Sequence, residues 1–116
     1  MIASVQIETV LRPMVNGRVY PDIASENERT PYIVYQDISN QPEVTLEGPT
    51  GHEWVHVQID VYDKGKLDCI KLANRVINEI SNQIKPSVYG GKTATKDGNL
   101  NRTIIEFEFW QTADTE

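Results

Sequence analysis

The spacing of hydrophobic residues predicts a short helix at the start of the chain, followed by an extended segment. Apolar side chains recur at helical intervals over about residues 3–12, and Pro13 and Asn16-Gly17 end that pattern. Arg18-Val19-Tyr20-Pro21 then begins an extended piece, and the polar residues 22–31 indicate a loop.

Two strands are predicted in the next part of the chain. Residues 32–38 are rich in β-branched and aromatic side chains, which favours a strand. A shorter strand is predicted over residues 43–47, because the turn-forming residues Asn40-Gln41-Pro42 precede it and Gly48-Pro49-Thr50-Gly51 follow it.

Residues 53–62 carry the clearest strand pattern in the chain, with one apolar face and one mixed face. The apolar face consists of Val55, Val57, Ile59 and Val61, and the mixed face consists of Trp54, His56, Gln58, Asp60 and Tyr62. This strict period of two predicts a strand whose apolar face lies in the core.

The period then changes to that of a helix, which we predict over residues 66–83. Its apolar positions are Leu67, Ile70, Ala73, Val76, Ile77, Ile80 and Ile84. We expect Asp63 to be the N-cap, because its carboxylate can accept hydrogen bonds from the free amides of the first turn. Pro86 prevents the helix from continuing.

The C-terminal part predicts two more strands. Tyr89-Gly90-Gly91 indicates a loop, residues 92–96 a short strand and Asp97-Gly98-Asn99 a turn. The last strand covers residues 101–112. Ile105, Phe107 and Phe109 lie on one of its faces, and Ile104, Glu106, Glu108 and Trp110 lie on the other.

This order of elements predicts an α+β fold, a mainly antiparallel β-sheet packed on one face by two α-helices. At this length we expect residues 1–116 to form one domain. Four large side chains remain on strand faces that should otherwise be polar: Trp54, Tyr62, Ile104 and Trp110. They are candidate subunit-interface residues, and the alternative is that loops cover them.

Composition excludes several classes of function. The chain has 17 acidic and 11 basic residues, a net charge of −6 and no basic run, so we expect no affinity for a phosphate backbone. No apolar run approaches the roughly 20 residues of a membrane helix, and the N-terminus lacks the pattern of a signal peptide. We therefore expect a cytoplasmic protein. Cys69 has apolar neighbours, which predicts a buried structural thiol.

The segment His52-Glu53-Trp54-Val55-His56 matches H-E-x-x-H, the zinc-binding pattern of many metallopeptidases. That pattern needs a helix, because in a strand rising about 3.3 Å per residue the two imidazoles stand about 13 Å apart. We therefore predict no metal site. A small zinc-dependent hydrolase that uses His52, Glu53 and His56 is the less favoured alternative.

Other enzymatic motifs are scarce in the sequence. Gly90-Gly91 lies outside any phosphate-binding pattern, and the serines lack the context of a nucleophile elbow. We therefore expect no catalytic activity and no cofactor.

Several segments taken in order are similar to one known family. These segments are Arg18-Val19-Tyr20-Pro21, Pro31-Tyr32-Ile33-Val34-Tyr35, Val57-Gln58-Ile59-Asp60-Val61-Tyr62 and Ala73-Asn74-Arg75-Val76. Their order, after a short N-terminal helix, resembles the small tail-completion proteins of long-tailed phages and prophages, which are relatives of tail terminators. The resemblance covers about residues 2–112.

The resemblance implies a structural protein that forms a hexameric ring at the head-proximal end of the tail tube and joins the tube to the head connector. The implied partners are other copies of the chain, the tail tube protein and the head connector proteins, with DNA only as passing cargo. The implied location is the host cytoplasm during assembly and then the virion tail. The acidic charge suits this role, because an acidic channel repels DNA and does not trap it.

The nearest rival within the same class is a head-closure or connector protein of the neck, and a cytoplasmic binding module unrelated to phage is a third possibility. For a tail-completion protein, we expect residues 40–52 and 86–101 to be mobile in the free subunit and ordered in the assembled joint.

Overall fold

The computed structural model describes residues 3–24 and 28–112, and it confirms the predicted α+β fold. The elements are helix α1 (Ala3–Leu11), a 3₁₀ turn (Arg12–Met14), strands β1 (Val19–Pro21), β2 (Tyr32–Thr45) and β3 (Gly48–Asp63), helix α2 (Lys66–Gln83), and strands β4 (Ser87–Asp97) and β5 (Leu100–Thr112). Residues 25–27, in the middle of the predicted loop 22–31, lie outside the described residues.

The five strands form one sheet in the order β1-β2-β3-β5-β4. β1 pairs with β2 in parallel, and the other three pairings are antiparallel. β5 lies between β3 and β4, so α2 crosses over β5 to connect its two neighbours. The long central pair β3–β5 is therefore the part of the sheet on which the helices pack.

The core lies between the two helices and one face of the sheet. Its strand residues include Ile33, Val55, Val57, Ile59, Val61, Ile105, Phe107 and Phe109, and its helix residues include Ala3, Ile7, Leu11, Cys69, Leu72, Ala73, Val76 and Ile80. The predicted apolar faces of β3 and β5 are thus confirmed. Cys69 is buried as predicted, and its Sγ lies 3.4 Å from the hydroxyl oxygen of Thr103.

The first helix is fastened to the sheet by polar contacts at its edge. The backbone N–H of Ala3 donates to Oε1 of Gln111 over 2.9 Å, and the hydroxyl of Tyr35 donates to the carboxylate of Glu8. This hydrogen bond from Tyr35, together with Arg12, lowers the pKa of Glu8. These contacts orient α1 so that Ile7 and Leu11 face the core.

The range predicted for the second helix, residues 66–83, is confirmed, but its predicted N-cap is wrong. The N-cap position is Gly65, and no side chain caps the helix. Asp63 lies two residues too early, and its Oδ1 accepts instead from the N–H of Lys64 over 2.7 Å. A side chain can cap the helix only from a position next to the first-turn N–H groups. The pattern of apolar residues does not fix the first residue of the helix closely enough to identify that position.

The interpretation of residues 40–42 and 48–51 as turns is wrong. β2 and β3 run through both segments and form one hairpin, in which Thr45 pairs with Gly48 and only Leu46 and Glu47 form the turn. Pro42 is tolerated because β1 pairs with β2 only as far as Tyr35, and because the register shifts between Pro42 and Val44.

The loop predicted at Tyr89-Gly90-Gly91 is also wrong, because these residues belong to β4. The register with β5 shifts between Tyr89 and Gly91, and Gly91 has φ +117°, a conformation that favours glycine at a bulge. Residues 40–52 and 86–101 thus lie mainly in hairpins. Their predicted ordering on assembly stays a prediction.

Membrane insertion through a helix has no support in the part of the chain that the structure describes, where neither helix is long and apolar enough to cross a bilayer.

Because the core depends on the aromatic residues of β5, we expect Phe107→Ala to lower the free energy of unfolding by about 3–5 kcal/mol. Phe107 is 1% exposed and stacks on Phe109 with the ring centroids 5.5 Å apart. Urea-induced unfolding measures the loss. The control Leu67→Ala, at a position 61% exposed, should cost less than about 0.5 kcal/mol. Equal losses for the two variants would contradict this assignment of the core.

Candidate functional site

The sheet face opposite the helices, which we call the open face, carries all four candidate interface residues. Each of the four is half-buried. In the pairing of β3 with β5, Trp54 lies opposite Trp110, Asp60 opposite Ile104, and Tyr62 opposite Arg102. The structure therefore places the four side chains on one surface, although it separates them into two groups along the strands.

The first group lies toward the β2–β3 turn. The rings of Trp54 and Trp110 meet edge to face with centroids 5.4 Å apart, and the ring of His52 stacks on Trp110 at 5.6 Å. Such an arrangement fixes the ring orientations and leaves a broad apolar surface beside polar edges. Aromatic groups of this kind are enriched at protein interfaces.

The second group lies at the opposite end of the strands. Tyr32 and Tyr62 stack with their ring centroids 4.7 Å apart, and the guanidinium carbon of Arg102 lies 5.7 Å from the centroid of Tyr62. Tyrosine hydroxyls are already protonated near neutral pH, and burial raises the pKa of both tyrosines further. This end of the open face presents neutral aromatic rings beside a fixed cation.

A buried ion pair connects this group to the centre of the face. Asp60 is 2% exposed, and its Oδ2 accepts from Nη2 of Arg102 over 2.7 Å. Nε2 of Gln58 donates to both carboxylate oxygens, at 3.1 and 3.2 Å. These hydrogen bonds compensate the cost of burying the carboxylate and hold Arg102 beside Tyr62. Ile104 is the apolar neighbour of Asp60 on β5.

The H-E-x-x-H segment lies in β3, as predicted, and not in a helix. His52 and His56 point to the open face, and Nε2 of His56 lies 3.7 Å from Oε1 of Glu106. Glu53 points to the other face, where its Oε1 accepts from Gln111 over 2.7 Å and from Asn40 over 2.9 Å. The glutamate is therefore held away from both imidazoles, which a metallopeptidase site does not allow.

No group of three or more His, Cys, Asp and Glu side chains that could hold a metal ion occurs among residues 3–24 and 28–112. The open face carries paired aromatic and polar side chains.

Sequence reasoning found the four large residues of this face but missed the partners that order them. Alternation in β3 already placed Asp60 on this side, yet nothing in the sequence connects it to Arg102, which is 42 positions away. The pattern of residues 32–38 predicts a strand for Tyr32 but does not predict which face its side chain occupies. Its partner Tyr62 follows only from the register of β2 with β3.

Comparisons with known proteins identify a family for the sequence and a solved structure with the same fold. A sequence model of the family described as "Tail completion protein gp17" matches residues 2–112. No curated protein sequence matches the chain. One chain of a solved structure titled "Virion of native gene transfer agent (GTA) particle" matches with a TM-score of 0.59 and 12% identity, over 91% of each chain. At this identity the likeness shows a shared fold.

Because the Asp60 carboxylate is buried, we expect Arg102→Met to lower the free energy of unfolding by about 2–4 kcal/mol, since it leaves that charge without its partner. We would measure urea-induced unfolding for Arg102→Met, Asp60→Asn and the double variant. The three losses of stability together give the coupling energy between Asp60 and Arg102. The control Arg12→Met removes an exposed pair with Glu8 and should cost less than about 1 kcal/mol. If both arginine variants lose the same stability, the pair does not organise this face.

Proposed function

The chain belongs to the tail completion protein gp17 family and is a structural protein of the phage tail, and we propose that it caps the head-proximal end of the tail tube and joins it to the head connector. In this role the copies form a hexameric ring that contacts the tail tube protein on one side and head connector proteins on the other. The family match over residues 2–112 is the observation that carries the proposal.

The open face supports the proposal because it can serve as one of the surfaces of such a ring. A head-to-tail ring needs two different complementary surfaces on each subunit. Trp54, Tyr62, Ile104 and Trp110 are large, half-buried and held in place by neighbours, so they would lose little conformational entropy on contact. We assign these four residues to subunit contacts.

The remaining parts of the proposal follow from the same premise. Residues 1–116 act as one tail-completion-like domain, which the continuous core from α1 to β5 supports. The chain works through its surfaces, without catalysis and without a cofactor. It is present in the host cytoplasm during assembly, and its net charge of −6 keeps DNA from adhering as it passes.

Disruption of the gene in the parent phage tests this role directly. We expect electron microscopy to show full heads separated from tails, and complementation in trans to restore whole virions. Overlong tubes would support the position at the tube end, whereas detached tubes of normal length would favour the head-closure alternative. Normal infectious virions without the protein would contradict both readings.

A substitution on the open face tests the assigned contacts. We expect Ile104→Thr to lower the titre of infectious particles about tenfold or more, because it removes apolar contact from a central interface position while keeping a β-branched side chain in β5. Thermal unfolding confirms that the variant folds. The matched control Val5→Thr, at an exposed position of α1, should leave the titre unchanged. A normal titre for Ile104→Thr would remove Ile104 from the interface.

A further inference from the structure

The end of the β2–β3 hairpin projects beyond the rest of the sheet. β5 pairs with β3 only from His52 onward, so residues 43–51 form a two-stranded ribbon with no third strand among the described residues. We call this ribbon the arm. At about 3.3 Å per residue it reaches about 15 Å past the end of β5. Its side chains are exposed.

Two threonines give the arm a defined shape. At the tip, the hydroxyl of Thr45 donates to the carbonyl of Gly48 over 3.1 Å and accepts from the N–H of Glu47 over 3.2 Å. Further down, the hydroxyl of Thr50 donates to the carbonyl of Glu43 over 3.4 Å. These local bonds hold the turn in place without help from the core. The arm is therefore a projection whose two strands and turn are joined by local hydrogen bonds.

The tip combines an exposed apolar side chain with acidic neighbours. Leu46 is fully exposed and Val44 is 63% exposed. Glu43 and Glu47 flank them, and the arm contains no Lys or Arg. A large apolar side chain at the end of a projection adds no stability to the isolated subunit. It can be buried only against another surface.

A groove with an apolar floor, to which the apolar tip of the arm could bind, lies between α2 and the edge formed by β4 and β5. Its floor is lined by Cys69, Ile70, Ala94 and Thr103, and it encloses about 240 Å³. That space exceeds the roughly 30 Å³ of a water molecule several times, so an aliphatic side chain can enter it. The groove continues along the helix past Ala73.

The charges around the groove are opposite to those of the arm. Lys66, Lys92 and Lys96 line it, and no acidic residue lines it. Arg102 also borders the groove, but its guanidinium lies on the open face with Asp60. Asp63, Asp68 and Asp97 lie in adjacent segments outside that lining. An acidic arm and a basic groove are electrostatically complementary, which favours encounter and fixes orientation.

The arm and the groove lie at opposite ends of the molecule. β3 runs from the arm at Gly48 to Asp63, which pairs with Asn101 beside the groove, and the long axis of the Cα trace measures 51 Å. Complementary surfaces at opposite ends make contacts between successive copies and cannot close within one subunit.

We propose that the arm of one copy docks in the groove of the next copy, with Leu46 on the apolar floor and Glu43 and Glu47 among Lys66, Lys92 and Lys96. This inference rests on the proposed ring and names two surfaces that hold it together. The occupant of the groove is a second copy, because the arm matches it in apolar content and in charge. The hydrogen bonds of Thr45 and Thr50 already join the two strands of the ribbon, which limits the entropy lost when the arm is ordered on docking.

Complementation of the gene-disrupted phage with Leu46→Asp tests the apolar contact. We expect the titre of infectious particles to fall about tenfold or more, because a carboxylate would be buried on an apolar floor. Thermal unfolding should be unchanged, since Leu46 makes no core contact. The control Val5→Asp introduces the same charge at an exposed position of α1, outside both the groove and the open face, and should leave the titre normal.

Charge reversal tests the identity of the partner. Glu43→Lys/Glu47→Lys reverses the arm, Lys66→Glu/Lys96→Glu reverses the groove, and each variant alone should lower the titre about tenfold or more. An equal mixture of the two should recover most of the titre, because alternating copies pair each reversed arm with a reversed groove. Lys71→Glu/Arg75→Glu, on exposed positions of α2, is the control of equal charge change.

The outcomes separate this inference from the proposed function. Whole virions with the Leu46→Asp arm, in a phage whose gene disruption prevents joining, would overturn the inference and leave the proposed function standing. Failure of the mixture to recover the titre would show that the arm binds a different protein, and would also overturn it. Failure of the proposed function would be seen in the gene-disruption experiment itself, because the phage would then make normal virions without the gene.

Discussion

The packing of two helices against one face of the long β3–β5 pair is the constraint on which the rest of the structure depends. It buries the apolar alternation of both strands and fixes their register. Because the helices cover only one face, the alternate side chains must be exposed, paired with one another, or covered by a partner. The open face and the projecting arm are therefore direct consequences of where the core ends.

The sequence allowed much of the fold to be predicted, because burial leaves a periodic trace. The strand over residues 53–62 and the helix over residues 66–83 were found in this way. Turn-forming residues gave wrong predictions at positions outside the core. Pro42 and Gly90-Gly91 lie within strands, because sheet edges and bulges tolerate proline and glycine. The four large residues of the open face followed from alternation. The Asp60–Arg102 pair did not, because it joins distant strands.

The two ends of the molecule have different physical character, and this difference is the basis of the proposed contact between copies. One end carries an acidic two-stranded ribbon with an exposed leucine, and the other carries an apolar groove with a basic lining. Membership of a tail completion family gives these surfaces a context in which end-to-end contact is useful.

The most direct test of this account is cryo-electron microscopy of the head–tail junction in intact particles of the parent phage. The account predicts a hexameric ring of this fold at the head-proximal end of the tube, with the arm of each copy against α2 and β4 of its neighbour. Density for the chain elsewhere on the particle, or a junction built without it, would contradict the central claim.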